Sequence, residues 1–203
     1  MTGPALGPVI LPQSGDIMKI IGLTGPAGAG KSTIAHAIVE ASHIPAAVVS
    51  FATPMKVALL SLFTMQGLET SKGAEMLLKK KKEEPTDYLM GKSPRQALQT
   101  LGTEWGRHCI HPMFWVEVAF RFAKSMGYTH IIIDDVRFDN EVEAITYRSG
   151  AIVEVVRKGA EYNDAHVSAR RLDVPDLACT VYNEGTPQAA AESILMALRD
   201  YWV

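Results

Sequence analysis

The stretch Gly25-Pro26-Ala27-Gly28-Ala29-Gly30-Lys31-Ser32 constrains this chain more than any other. It follows a short apolar run, Ile20 to Thr24, and leads into a helix-like run from Lys31 to about Ala41. In that setting, strand then glycine-rich loop then helix, the spacing G-x-x-x-x-G-K-[ST] forms a loop that wraps a polyphosphate. The glycines let successive backbone N–H groups point inward as an anion-binding nest. The helix that follows adds its unpaired N–H groups and the positive end of its dipole. Lys31 is then expected to reach the β- and γ-phosphates of a nucleoside triphosphate, and the Ser32 hydroxyl to ligate Mg²⁺.

The rest of the chain alternates strands and helices. A second strand is read over Ala46 to Phe51, a helix from Pro54 to Gly67, and a helix from Ser93-Pro94 to Arg107. The pair Ser93-Pro94 places an N-cap and a first-turn proline in register. Leu98, Leu101 and Trp105 make one stripe of that helix, while Arg95, Gln99, Gly102 and Gly106 make another. A face of arginine, glutamine and two glycines is costly in a helix and implies close approach by a ligand or a packed neighbour. A further helix carries Phe114, Trp115, Val118 and Phe122 as core. Three isoleucines, Ile131 to Ile133, then run into Asp134-Asp135, which reads as a buried parallel strand with acids at its carboxyl end. Ligands of open α/β sheets sit at that end, and an aspartate there suits the metal partner of the loop serine. Strands over Ala151–Val156 and Leu177–Tyr182 and a last helix over about Gln188 to Tyr201 complete the pattern. The fold class expected is α/β, of the P-loop NTPase type, with a five-stranded, mostly parallel sheet and helices on both faces.

Composition narrows the function. The 203 residues suit one domain with a sizeable core, and 47% hydrophobic content suits its packing. A net charge of −2 offers no global attraction to nucleic acid or membrane, so neither partner is expected. Two cysteines, Cys109 and Cys179, are too few for a disulfide framework and point to a reducing, cytoplasmic setting. No apolar run approaches the ~18 residues of a membrane span. Residues 1–17, rich in Pro and Gly and without a secretory pattern, read as a flexible tail before a kinase domain over 18–203. Within that domain, about 52–110 reads as an acceptor-binding insertion and about 158–176 as a lid-like segment. The run Lys79–Lys82 reads first as a solvated face, and second as a basic segment near a phosphate-bearing substrate. His108, Cys109 and His111 lie close together but lack the second ligand cluster a metal site needs. A homodimer is an open expectation, since twofold dimers are the commonest soluble oligomers.

Three stretches carry a more specific likeness: Ser50-Phe51-Ala52-Thr53-Pro54-Met55-Lys56, the run from Ser93 to Arg107 (SPRQALQTLGTEWGR), and Asp134-Asp135-Val136-Arg137-Phe138-Asp139-Asn140-Glu141. Together they resemble the bacteriophage deoxynucleoside monophosphate kinases over about residues 19 to 183. The resemblance implies transfer of the ATP γ-phosphate to a (deoxy)nucleoside 5′-monophosphate with Mg²⁺, for nucleotide supply to DNA synthesis, in the host cytoplasm if the chain is viral. It implies that Gly25 and Gly28, Ala29, Gly30, Lys31, Ser32 and Thr33 hold the ATP phosphates. It puts Asp135 in the Mg²⁺ shell, with Asp134 as the alternative, and Lys56, Arg95, Arg107 and Arg137 around the acceptor phosphate. Gln99 and Trp105 are implied at the acceptor base or sugar, Arg157 beside the adenine, and Arg170 and Arg171 in the lid. Catalysis falls to Lys31, Arg137 and Asp135. The family's His-x-Ser-Glu pattern appears here as His166-Val167-Ser168-Ala169, without the glutamate. Two other readings share the loop: a P-loop kinase of another phosphorylated small metabolite, and a nucleotide-dependent switch protein without an acceptor.

Overall fold

The computed structural model describes residues 18–162 and 170–203. The expected tail over 1–17 and the motif His166 to Ala169 lie outside these residues. Five strands, β1 (Lys19–Thr24), β2 (Ala47–Val49), β3 (His130–Ile133), β4 (Ala151–Val156) and β5 (Leu177–Tyr182), form one sheet in the order β2-β3-β1-β4-β5. Every pairing is parallel, with Gly22 of β1 opposite Ile133 on one side and Ile152 on the other. Parallel strands need crossovers, and the helices that supply them cover both faces.

The alternation of side chains along the strands divides the core in two. Ile21, Leu23, Ile132, Val153 and Val155 face helices α1 (Lys31–Ala41) and, by their contacts with Ala191 and Ile194, the later helix Pro187–Ala197. Ile20, Ile131, Ile133 and Ile152 face the opposite layer, built from Phe114–Ser125 and Asp139–Tyr147. The consecutive isoleucines of β3 are buried because both faces of the strand are covered. Between β2 and β3 the chain builds α2 (Thr53–Met65), α3 (Thr70–Met76), a 3₁₀ turn over Lys79–Glu83, a second over Asp87–Leu89, α4 (Pro94–Thr100) and α5 (Phe114–Ser125). Leu59, Phe63 and Leu77 give this insertion a small core of its own. After β3 come α6 (Asp139–Tyr147), and, beyond β5, α7 (Pro187–Ala197) and α8 (Arg199–Trp202). No helix among the described residues is long and apolar enough to cross a membrane.

Three boundaries differ from the sequence reading. The second strand stops at Val49 rather than Phe51, because the backbone of Phe51 and Ala52 turns to donate to Asp135. The last helix breaks at Leu198, so that Trp202 folds back and its indole N–H reaches Ser42. The helix opened by Ser93, whose hydroxyl and Gln96 form a reciprocal capping box, does not remain α-helical. From Leu101 to Ile110 it widens into a π-helix. The His111 N–H then bonds the Gly106 carbonyl, five residues back.

Candidate active site

A cleft of about 630 Å³ opens at the carboxyl end of the sheet. One wall is the loop between β1 and α1; the other is the insertion between β2 and β3.

The loop is held in shape from below. Gly25 has φ +139°, and a Cβ there would stand 2.2 Å from the Val155 carbonyl oxygen, so no other residue fits. The Asn183 amide, buried at the end of β5, donates to the Ala29 carbonyl at 2.8 Å and lies directly under Gly30. Gly30 caps α1 in a left-handed conformation with no side chain over the helix end, which leaves the first N–H groups facing the cleft. Lys31 is buried and donates to the Gly25 and Pro26 carbonyls at 2.6 and 2.8 Å. Burial, and after it the charge of Arg137, lower its pKa to about 8, against the opposing pull of Asp134 and Asp135.

The acids lie at the end of β3. Asp135 accepts the Phe51 and Ala52 N–H groups, one on each carboxylate oxygen, at 2.8 and 3.0 Å. Asp134 accepts the Ser50 hydroxyl. Withdrawal from water, and then the neighbouring Asp134 charge, raise the pKa of Asp135. Two adjacent carboxylates in one cleft with the Ser32 hydroxyl offer the hard oxygen ligands that Mg²⁺ takes, and their mutual repulsion is what a divalent cation relieves. Ser32 is exposed in the same cleft. Among the described residues no group of three or more His, Cys, Asp or Glu side chains is arranged to hold a metal by itself.

The insertion wall is cationic. Lys56 of α2, Arg95 and Gln99 of α4 and Arg107 of the π-helix line the cleft from the insertion, and Arg137 joins them from the segment after β3. Arg107 is nearly buried and pairs with Glu141 at 2.6 Å. Its guanidinium also donates to the Gly102 carbonyl and lies 3.9 Å from the centroid of the Phe138 ring. Glu141 accepts in addition the N–H groups of Arg137 and Phe138, at 2.7 and 3.1 Å. One buried carboxylate therefore orders both arginines, one through its side chain and one through its backbone. Burial first, then the Asp135 charge, push its pKa up to about 7.

The structure brings most of the sequence-selected residues into this one cleft: Gly28, Gly30, Lys31, Ser32, Thr33, Lys56, Arg95, Gln99, Arg107, Asp134, Asp135, Arg137 and Arg157. Gly25 and Ala29 contribute backbone from beneath the loop. Trp105 does not line the cleft. It stands 44% exposed in an aromatic group with Phe114 and Trp115, on the π-helical stretch and away from the acceptor place the resemblance implied. The two glycines of the odd face admit packed neighbours: a Cβ at Gly106 would meet the Trp115 indole nitrogen at 2.1 Å, and one at Gly102 the Met55 sulfur at 2.9 Å. Arg170 pairs with Asp139, and Arg171 grips Glu154 with two nitrogens. Glu141 and Asn183 escaped the sequence reading. Glu141 was visible only as the third residue of a helix start, where a glutamate ordinarily caps its own backbone. Asn183 stands 154 residues from its partner, and no local pattern marks it.

The family model described as deoxynucleotide monophosphate kinase matches residues 90–194. A relative from Acanthamoeba polyphaga mimivirus, whose name carries that family, is 29% identical over 169 residues, 76% of this chain and 82% of its own length. The deoxynucleotide monophosphate kinase of Enterobacteria phage T4 is 28% identical over 110 residues and that of Escherichia phage RB69 26%. Those matches take in 53% of this chain and about half of each phage protein, 46% and 45%. Among solved structures, the APS kinase of Mycobacterium tuberculosis with AMPPNP and APS is similar at a TM-score of 0.47 and 12% identity, covering 91% of this chain and 99% of that one.

Proposed function

The chain belongs to the deoxynucleotide monophosphate kinase family, and from that premise we propose that its cleft transfers the γ-phosphoryl group of ATP to a deoxynucleoside 5′-monophosphate. A phosphate oxygen of the acceptor attacks the γ-phosphorus, the bond to the β-γ bridging oxygen breaks, and the products are ADP and the deoxynucleoside diphosphate. The observation that carries this reading is the facing of two phosphate-binding walls across one cleft, the glycine loop on one side and a row of cationic side chains on the other. Phosphoryl transfer needs two phosphates held in line with their charge neutralised, and needs little else from the protein.

In this reading the N–H groups at the start of α1 take the β- and γ-phosphates. Lys31, released from the loop carbonyls, follows the γ-phosphoryl group in transit. Ser32 and Asp135 would hold Mg²⁺, with Asp134 as the alternative carboxylate; the ion, when bound, would neutralise charge on the β- and γ-phosphate oxygens. Arg95, Arg107, Arg137 and Lys56 receive the acceptor phosphate, Gln99 lies beside its sugar or base, and Arg157 lies beside the adenine of ATP. Residues 52–110 act as the acceptor-binding insertion. Apposition in the cleft excludes water, which would otherwise compete as acceptor.

The experiment is a coupled ADP-release assay over the four deoxynucleoside monophosphates, their ribose counterparts and a set of phosphorylated non-nucleotide metabolites. Turnover with at least one deoxynucleoside monophosphate, well above the rate without acceptor, is expected. Turnover with none of them, or with a metabolite only, overturns the reading.

A further inference from the structure

Four consecutive lysines, Lys79–Lys82, stand out in the sequence, and the reaction just described uses none of them. With Glu83 they form one 3₁₀ turn, and the turn sends its side chains to different places. Lys81 turns outward and pairs with Glu75. Lys82 is half-buried and lines the cleft. Glu83 accepts both Nε and Nη2 of Arg95 on one carboxylate oxygen, at 2.9 and 2.7 Å. This pair of hydrogen bonds ties the turn to the first turn of α4, next to Lys82.

The surroundings of Lys82 are cationic. Arg95, Lys56 and Arg137 all act on it, and the one nearby anion among the described residues, Glu83, is already engaged by Arg95. Among the described residues neither Lys82 nor Lys56 has a carboxylate within salt-bridge distance. Burial, and after it these like charges, lower the pKa of Lys82. Gathering cations in a partly dry cleft costs free energy unless a multiply charged anion sits among them. A nucleotide 5′-phosphate is such an anion. The side of the cleft where Lys82 stands, with Arg95 and Lys56 of the same insertion, faces the glycine loop rather than belonging to it.

We propose that Lys82 binds the 5′-phosphate of the acceptor nucleotide, and that Glu83 is a positioning residue that holds Lys82 and Arg95 in the cleft. This assignment rests on the kinase reading above and adds to it a ligand from the lysine run. Lys82 donates a charge-assisted hydrogen bond to a phosphate oxygen, with no covalent step.

The test uses the full chain and the variants Lys82→Ala, Lys82→Arg, Glu83→Gln and Lys81→Ala. Equilibrium titration without ATP measures binding of the best deoxynucleoside monophosphate from the substrate panel and of the same deoxynucleoside without phosphate. Steady-state assays give KM for acceptor and for ATP. Lys82→Ala should weaken monophosphate binding and raise the acceptor KM by roughly ten- to a hundredfold, the range of one hydrogen bond to a charged group. Deoxynucleoside binding and the ATP KM should not move. Lys82→Arg should restore most of the loss, Glu83→Gln should show a smaller loss of the same kind, and Lys81→Ala should match the wild type. An unchanged acceptor affinity in Lys82→Ala, or an equal loss for the deoxynucleoside or for ATP, overturns the assignment while leaving the kinase reading standing. A wild-type chain that phosphorylates no deoxynucleoside monophosphate overturns the kinase reading, and Lys82 with it.

Discussion

Replacing Glu141 tests how the acceptor side of the cleft is ordered. The carboxylate is buried and meets three donors: the Arg107 guanidinium, and the backbone N–H groups of Arg137 and Phe138. Arg107 is itself only 11% exposed, and its Nε is already buried without a partner among the described residues. Glu141→Ala therefore strands a buried cation and two backbone donors, which costs about 3–5 kcal/mol. For a chain of this size that lowers Tm by roughly 10 °C. Glu141→Gln keeps the shape but offers one acceptor oxygen, so either Arg107 or the two backbone donors must face an NH₂ group, at a cost of about 1.5–3 kcal/mol. The sign with pH is opposite to that of an exposed ion pair. Because the folded pKa, about 7, lies above the ordinary 4.5, the fold favours the protonated carboxyl. Its contribution is full below the unfolded value and is lost as pH rises through 7, a change of about 3 kcal/mol. The stability gap between wild type and Glu141→Gln, measured by urea unfolding, should thus be larger near pH 5 than near pH 8. In activity assays both variants should raise the acceptor KM more than the ATP KM, since Arg107 and the Arg137 backbone lose their shared anchor. The double variant Arg107→Met/Glu141→Leu should recover stability, because apolar residues can replace a buried pair, and should recover no activity. If Glu141→Ala loses less than about 1 kcal/mol and keeps its acceptor KM, the ordering role assigned to this carboxylate is wrong.

Three further outcomes are expected. Lys31, with a pKa of about 8 where it donates to the loop carbonyls, should take up a proton when phosphates replace those carbonyls. Calorimetry of ATP binding in buffers of different ionisation enthalpy should show little uptake near pH 6.5 and approach one proton near pH 9; equal uptake at both refutes this. Asn183→Ala removes the donor to the Ala29 carbonyl and should cost about 1–3 kcal/mol, raising the ATP KM and sparing the acceptor KM. Gly106→Ala should cost about 1–3 kcal/mol by displacing Trp115, whose N–H bonds the Gly102 carbonyl at 3.0 Å; a near-neutral effect would mean that the π-helix yields easily.

The sequence by itself determined what is local. Strand, glycine loop and helix are consecutive, so the pattern Gly25–Ser32 specified its own geometry, and the run Ile131–Ile133 into two acids marked a covered strand with a ligand end. The helix start at Ser93-Pro94 was equally legible, because the N-cap hydrogen bond reaches only three residues. Tertiary structure decided everything that depends on partners far along the chain. Trp105 stands outside the cleft in an aromatic group with Phe114 and Trp115, on a widened helix, and side-chain periodicity assumes a turn that is not widened. Asn183 found its role across 154 residues. Glu141 looked like a helix cap until the fold carried Arg107, 34 residues away, onto the same carboxylate. Four identical lysines are indistinguishable in sequence; in the fold Lys82 lines the cleft while Lys81 pairs with Glu75 outside it. Backbone preferences act within a few residues, whereas burial and charge pairing act wherever the folded chain brings groups together.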